Sequence, residues 1–301
     1  MVMRCTFCSS EEVVIKRGYS GESLCKRCFE EDIKRKVYRV LRESGVKAKE
    51  ITLAVSGGKD SMTMLDVVRR IGKFKINIVT VDEGIKDKKE SIKIVENYAE
   101  RFSLNFNLVS FEEEFGITID EIASREREKK ICSYCGVMKR KIINKFARAI
   151  GSHVIFTGHN LDDVAQSVLM NIFNADMGKL VRMVKEKRDS NFVRRVKPLK
   201  LIPEEETELY AKLNLTYYKK KCPYSGDVFR KRVREMIREV EKIRPGTRYS
   251  ILSMLEKLRE PLQSVKMSNL KRCLLCGEPS SSYICMSCKL LGELIEKNKT
   301  F

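Results

Sequence analysis

Only two histidines, His153 and His159, occur in 301 residues. Metal centres built on imidazole are thereby excluded. Nowhere does the chain carry a run of about 18 apolar residues, the length a membrane-spanning helix needs, so no segment is expected to cross a bilayer. The stretch Met1-Val2-Met3-Arg4-Cys5 lacks the apolar core of a signal peptide, and the expected location is the cytoplasm. Acidic residues are in deficit. Asp and Glu number 41 against 60 Lys and Arg, leaving a net charge of +19. Such an excess favours a polyanionic partner, gripped through phosphate contacts and counterion release. The accompanying wealth of glutamate also fits the Lys/Glu-rich surface of a thermophile. The length suffices for one large domain with small modules attached.

One stretch organises the rest. Ile51-Thr52-Leu53-Ala54-Val55 reads as a buried strand. Ser56-Gly57-Gly58-Lys59-Asp60-Ser61 follows, and then Met62, Leu65 and Val68 recur at helical spacing among Asp66, Arg69 and Arg70. The order is strand, glycine turn, helix. Two glycines allow a tight turn that points backbone N–H groups at an anion, with a helix N-terminus behind them. Lys59 adds charge, and Ser56 and Ser61 add hydroxyls. The loop is neither a Walker A sequence nor G-x-G-x-x-G. Further strands are expected at Ile76–Asp82, Leu104–Phe111 and His153–Thr157, alternating with helices. That alternation implies an α/β fold with a doubly wound parallel sheet. Ligands in such sheets bind beyond the carboxyl ends of the strands, which puts the loop and the Val81-Asp82 end on one rim. Val81 is a candidate adenine contact, and Asp82 fits a loop carboxylate equally. Gly158-His159-Asn160-Leu161-Asp162-Asp163 is a second glycine turn there. Asn160 and Asp163 fit a helix cap, and they equally fit an acid beside a nucleotide.

Cysteine is plentiful. Ten of the eleven fall in C-x-x-C pairs: Cys5/Cys8, Cys25/Cys28, Cys132/Cys135, Cys273/Cys276 and Cys285/Cys288. Cys222 stands alone. In a cytosolic chain this usage points to metal or redox chemistry rather than disulfides. The first two pairs and the last two have the spacing of closed, structural four-cysteine zinc sites. Zinc knuckles at both ends of a basic chain suit nucleic-acid binding or serve as structural caps. The expected division is an N-terminal zinc finger at 1–30, a catalytic domain at 31–265 and a C-terminal zinc finger at 266–301. Cys132 and Cys135 open a basic helix behind Lys129 and Lys130. Alone they fit a redox dithiol, half a zinc site or two helix thiols. With Cys222, three thiolates can hold an iron–sulfur cluster that leaves one iron free. They can also relay sulfur as thiolate, persulfide and resolving thiol. The helix expected at Gly226–Ile243, with Arg230, Lys231, Arg232, Arg234 and Arg238, is either the best RNA-facing surface or a solvated face.

The string Ser56 to Ser61 resembles the PP-loop of N-type ATP pyrophosphatases, which cleave ATP between its α and β phosphates and leave AMP on a substrate oxygen. With the zinc modules, the Cys132/Cys135/Cys222 set and Gly-His-Asn-x-Asp-Asp, nearly the whole chain resembles the TtuA-like group of tRNA 2-thiouridine synthetases in the TtcA-like family. The TtuA branch, which acts on uridine 54 in the T-loop, looks closest; a sister branch acts on wobble uridine 34. The resemblance implies ATP and Mg2+ held by Ala54, Val55, Ser56, Gly57, Gly58, Lys59, Asp60, Ser61, Val81, Gly158 and Asp163. It implies a [4Fe-4S] cluster on Cys132, Cys135 and Cys222, whose free iron accepts sulfide. It implies catalytic roles for those cysteines, Lys139 and Asp163, with Asp162 an open alternative to Asp163. The sulfur would come from a ubiquitin-like carrier ending in a glycine thiocarboxylate, the RNA would be tRNA, and the assembly a homodimer. Competing readings are another PP-loop tRNA modification, such as lysidine synthesis, and a non-catalytic zinc protein that binds RNA.

Overall fold

The computed structural model describes residues 3–125, 131–184, 193–226, 228–265 and 271–298. The basic flank at Lys129 and Lys130 lies outside them. Two short antiparallel strands, β1 (Val13–Lys16) and β2 (Ser23–Cys25), lead into α1 (Lys26–Glu43). Strands and helices then alternate through β3 (Glu50–Ala54), α2 (Lys59–Ile71), β4 (Lys75–Asp82), α3 (Lys89–Arg101) and β5 (Asn105–Ser110). The short helices α4 (Phe111–Phe115) and α5 (Ile119–Arg125) precede α6 (Ile131–Ala149) and β6 (Val154–Thr157). Next come α7 (Leu161–Phe173), α8 (Met177–Val184), β7 (Arg194–Val196), α9 (Glu204–Asn214), α10 (Val228–Ile243), α11 (Thr247–Lys257) and α12 (Arg259–Gln263). The hairpin of β8 (Lys271–Arg272) and β9 (Pro279–Ser280) leads to α13 (Met286–Asn298).

The expected doubly wound sheet is present. Its five strands run in the order β5-β4-β3-β6-β7, all pairs parallel. From β3 the chain winds one way to β5, then returns to place β6 on the other side of β3. The strand order reverses between β3 and β6, so the crevice beyond their carboxyl ends is where this architecture receives ligands. Ile51, Leu53 and Val55 are fully buried because a central parallel strand is covered on both faces. They share one core with Met62, Met64 and Leu65 of α2 and with Phe29, Ile33 and Val37 of α1. Leu24 belongs to the same core, and the expected 30/31 boundary falls inside α1. A second core joins Phe111, Ile119 and Ile122 to Tyr134 and Met138 of α6 and Leu294 of α13. No helix among the described residues is long and apolar enough to cross a membrane.

Buried charge ties the N-terminal module to α9. The Arg17 side chain, 2% exposed, lies 2.8 Å from Glu206, which is 1% exposed, and 2.6 Å from Asp32. The Tyr19 hydroxyl donates to Glu206 at 2.5 Å. Removing one partner of such a set strands the other in low dielectric. Glu206→Ala is therefore expected to lower the unfolding free energy by about 3–5 kcal/mol in urea titrations. A loss below about 1 kcal/mol, the range of surface pairs, would contradict this.

Candidate active site

The loop after β3 depends on its glycines. Gly57 has φ +77°, and a Cβ there would sit 2.4 Å from the Ser91 carbonyl oxygen. Gly58 is extended at the N-cap of α2, and no side chain caps that helix. Its first-turn N–H groups thus have no side-chain partner, the arrangement that suits an anion. The Ser56 amide donates to Ser61 Oγ at 3.2 Å, and Ser61 Oγ donates to the Gly58 carbonyl at 3.0 Å. Lys59 Nζ lies 2.8 Å from Asp60 and 3.2 Å from Glu204. Against the effect of burial, those two carboxylates hold its ammonium above the usual range. Ala54 ends β3, and the Val55 amide and carbonyl are both tied to β4, through Val79 and Thr80. Val81 is half-buried at the end of β4. Asp82 accepts from the Gly84 amide at 2.8 Å and so serves its own turn.

The second turn meets the first. A Cβ on Gly158 would come within 2.8 Å of Ser61 Cα and 2.9 Å of its nitrogen; only glycine lets this turn lie against the start of α2. Asn160 Nδ2 donates to Asp60 at 3.1 Å. Asn160 and Asp163 form a complete capping box. The two candidate acids differ. Asp162 is buried, bonded to Arg248 at 3.0 Å and to the Glu204 amide at 2.7 Å. Asp163 is half-buried, 3.0 Å from Arg234. Burial pushes its carboxyl above the ordinary range against the pull of Arg234, and Asp60 and Glu204 push the same way. His159 is exposed on the turn after β6, its Nδ1 3.0 Å from Thr157 Oγ1. Partial desolvation and then the charges of Lys197, Arg195, Arg230 and Arg140 act to lower its pKa.

Cys132 Sγ donates to the Tyr224 carbonyl at 3.1 Å, and Cys135 and Cys222 pack against the same apolar cluster. The two distant segments therefore bring their thiols to one region. Lys139, one turn from Cys135, places Nζ 2.9 Å from Glu83, and its charge acts on the Cys135 thiol. Glu83, 5% exposed, takes Lys88 as well, at 3.2 Å. Sequence reasoning stopped at Val81 and Asp82 and missed it, although its position just past the end of a central strand was the available signal. Tyr218, whose amide donates to the Gly57 carbonyl at 2.8 Å, was also missed and carries no local signal.

The terminal cysteines are drawn tighter. Cys5, Cys8, Cys25 and Cys28, and again Cys273, Cys276, Cys285 and Cys288, each hold all four sulfurs within 4.8 Å of one another. Tetrahedral zinc with bonds of about 2.3 Å separates its sulfurs by about 3.8 Å; Cys8–Cys25 is 3.5 Å and Cys276–Cys285 is 3.7 Å. Both sets fit one tetrahedral ion. Cys132, Cys135 and Cys222 form no such group. A cubane seats each ligand on a different iron, so its sulfurs stand further apart than those around one ion.

A family profile described as a PP-loop domain matches residues 29–241. The chain is 38% identical to a probable sulfurtransferase of Methanocaldococcus jannaschii, over 98% of this chain and 89% of that one. It is 30% identical to the tRNA 2-thiolation protein NcsA of Haloferax volcanii, over 97% and 99%. A solved structure, the U34-tRNA thiolase NcsA from Methanococcus maripaludis with its [4Fe-4S] cluster, superposes with a TM-score of 0.85 at 33% identity, covering 97% of this chain and 96% of the other. The contact between the two glycine turns is directly testable. Gly158→Ala is expected to weaken ATP binding in calorimetric titrations by at least about tenfold, or 1.4 kcal/mol, with the far-ultraviolet dichroism unchanged. Unaltered affinity would contradict the assigned packing.

Proposed function

The chain belongs to the PP-loop domain family and, within it, to the tRNA thiolase family, and from that premise we propose that it uses ATP to replace O2 of a tRNA uridine with sulfur. One observation carries the reading. The carboxyl end of the sheet holds both the glycine loop after β3 and, at the end of β4, Glu83 with Lys139 and Cys135. Phosphate binding and thiol chemistry thus share one rim.

The steps balance. Uridine O2 attacks the α-phosphorus, the O2–P bond forms, the bond to the β-phosphate breaks, and diphosphate leaves. Sulfide then attacks C2, the C2–O2 bond breaks, and AMP departs carrying O2. A uracil oxygen is a poor leaving group, and AMP is a good one. The start of α2, Ser56, Ser61 and Lys59 grip the phosphates. Asp60 and Asp163 are the carboxylates proposed for Mg2+, with Asp163 as the acid because Asp162 is committed to Arg248 and α9. Lys139 supplies a cation beside the thiols. Cys132, Cys135 and Cys222 would hold the cluster named for the Methanococcus relative, which supplies an iron open to sulfide. Each terminal four-cysteine set would hold one zinc. Hydrolysis of a carrier thiocarboxylate yields carboxylate and sulfide without redox change, so a ubiquitin-like carrier is the proposed donor. A cytoplasmic homodimer is the proposed assembly; relatives from Danio rerio and Aspergillus niger are named cytoplasmic tRNA 2-thiolation protein 1. We favour uridine 34, the position in the name of the solved relative, over uridine 54.

The test combines anaerobically loaded protein, ATP, sulfide and tRNA, with digestion and mass spectrometry to place 2-thiouridine. Modification at 34 is expected. Modification at 54 would overturn the position, and neither thiouridine nor AMP would overturn the reaction. Lys59→Ala is expected to slow AMP release by about 10²-fold or more. Cys222→Ala is expected to lose iron and thiolation while keeping both zincs. Full activity in Cys222→Ala would favour a PP-loop modification that needs no cysteines.

A further inference from the structure

Strand β7 pairs with β6 so that Ile155 stands opposite Arg195 and Phe156 opposite Val196. Side chains alternate along a strand. Val196 enters the main core, so Arg195 and Lys197 are directed to the other face. On that face Val193 packs with Ile155 and with Ala147 of α6, and α6 contributes Arg140. Arg195 Nη2 donates to the Arg140 backbone carbonyl at 3.0 Å, which fixes strand and helix relative to each other. Gathered cations repel, and His159 on the turn after β6 faces Lys197, Arg195 and Arg140. Among the described residues, no carboxylate lies within ion-pair distance of Arg140, Arg195 or Lys197. Arg140 and Arg195 stand exposed and Lys197 half-buried, with Asp163 as the carboxylate whose charge acts on Lys197. Such clustering of like charge in a concavity is characteristic of a site that expects a counter-charge.

These three residues line a cleft of about 1190 Å³, whose lining also includes Lys36 and Arg39 of α1 and Arg259 of α12. Lys36, Arg39 and Arg259 are ion-paired with Glu206, Glu43 and Glu256, which leaves Arg140, Arg195 and Lys197 as the group without such a partner among the described residues. We propose that Arg140, Arg195 and Lys197 form a phosphate subsite beside the His159 turn, which takes a backbone phosphate of the RNA substrate adjacent to the nucleotide being modified. This rests on the tRNA-thiolating reading above. The subsite anchors the strand where the Gly158 turn meets the start of α2. The phosphate groups that fit it chemically come from RNA or from released diphosphate, and the tRNA-thiolating reading favours RNA.

The test uses the metal-loaded full chain and a tRNA transcript, with binding followed by fluorescence anisotropy across a salt series. Arg140→Ala/Arg195→Ala is expected to make the log–log salt slope shallower by about 0.7–0.9 for each phosphate no longer gripped, with ATP and diphosphate affinities unchanged. Arg140→Lys/Arg195→Lys keeps the charges and should keep the slope, which separates the effect of charge from that of misfolding. Lys197→Ala should also reduce the slope. An unchanged slope in both alanine variants, with normal binding by the wild type, would overturn the subsite. A fall in diphosphate affinity with the tRNA slope intact would assign it to diphosphate and overturn the RNA assignment. Absence of tRNA binding by the wild type would instead overturn the reading beneath it.

Discussion

Three consecutive glutamates at the start of α9 hold the molecule in register. Glu204 lies 3.2 Å from Lys59 of the glycine loop and 3.0 Å from Arg238 of α10. Glu205 takes Arg248 of α11 at 2.6 Å, and Glu206 takes Arg17 of the N-terminal module at 2.8 Å. Successive helix residues point about 100° apart, as 3.6 residues per turn requires, so one short segment reaches three surroundings. Buried ion pairs cost desolvation and gain little net stability, but breaking one leaves an uncompensated charge. Their effect here is to make any other placement of α9 unfavourable. Thr207, one residue on, donates to Asp60. The loop is thus held by a helix that also holds both flanking elements.

Parallel topology does the rest. Because β3, β4 and β6 run the same way, the loop, Glu83 and the Gly158 turn leave the sheet on one rim. Lys59 is paired with Asp60 and Glu204, so a phosphate at the loop would compete with those carboxylates for its ammonium. Lys139 is held in the same manner by Glu83. Each of these cations is held by carboxylate partners, and fixed charges of this kind are the preorganisation that electrostatic catalysis requires.

The parts legible in the sequence are those encoded locally. The glycine loop announced itself by a buried run, a turn and a helical period. The two four-cysteine sets followed from spacing, and Cys222 was singled out because it alone lacked a C-x-x-C partner. Partners distant along the chain were not legible: Glu83 for Lys139, Tyr218 for Gly57, Arg248 for Asp162. The basic helix expected to face RNA shows the limit well. In α10, half-buried Arg234 reaches Asp163 and the exposed Arg238 reaches Glu204, whereas Lys231 and Arg232 pair with Glu235 on the same helix. Charge composition cannot say which face of a helix packs. Nor could it show that Leu24 and Phe29 join the main core, so that the N-terminal four-cysteine module shares its interior with the α/β sheet.

The central claim is that the loop transfers AMP to the uracil oxygen that sulfur then displaces. It is tested most directly with tRNA carrying oxygen-18 at O2 of the target uridine, turned over with ATP and sulfide, followed by mass spectrometry of the released AMP. One oxygen-18 in the AMP phosphate is the expected result. Unlabelled AMP formed alongside 2-thiouridine would mean that the oxygen leaves by another route, and the assignment of the loop to adenylation of the base would be wrong.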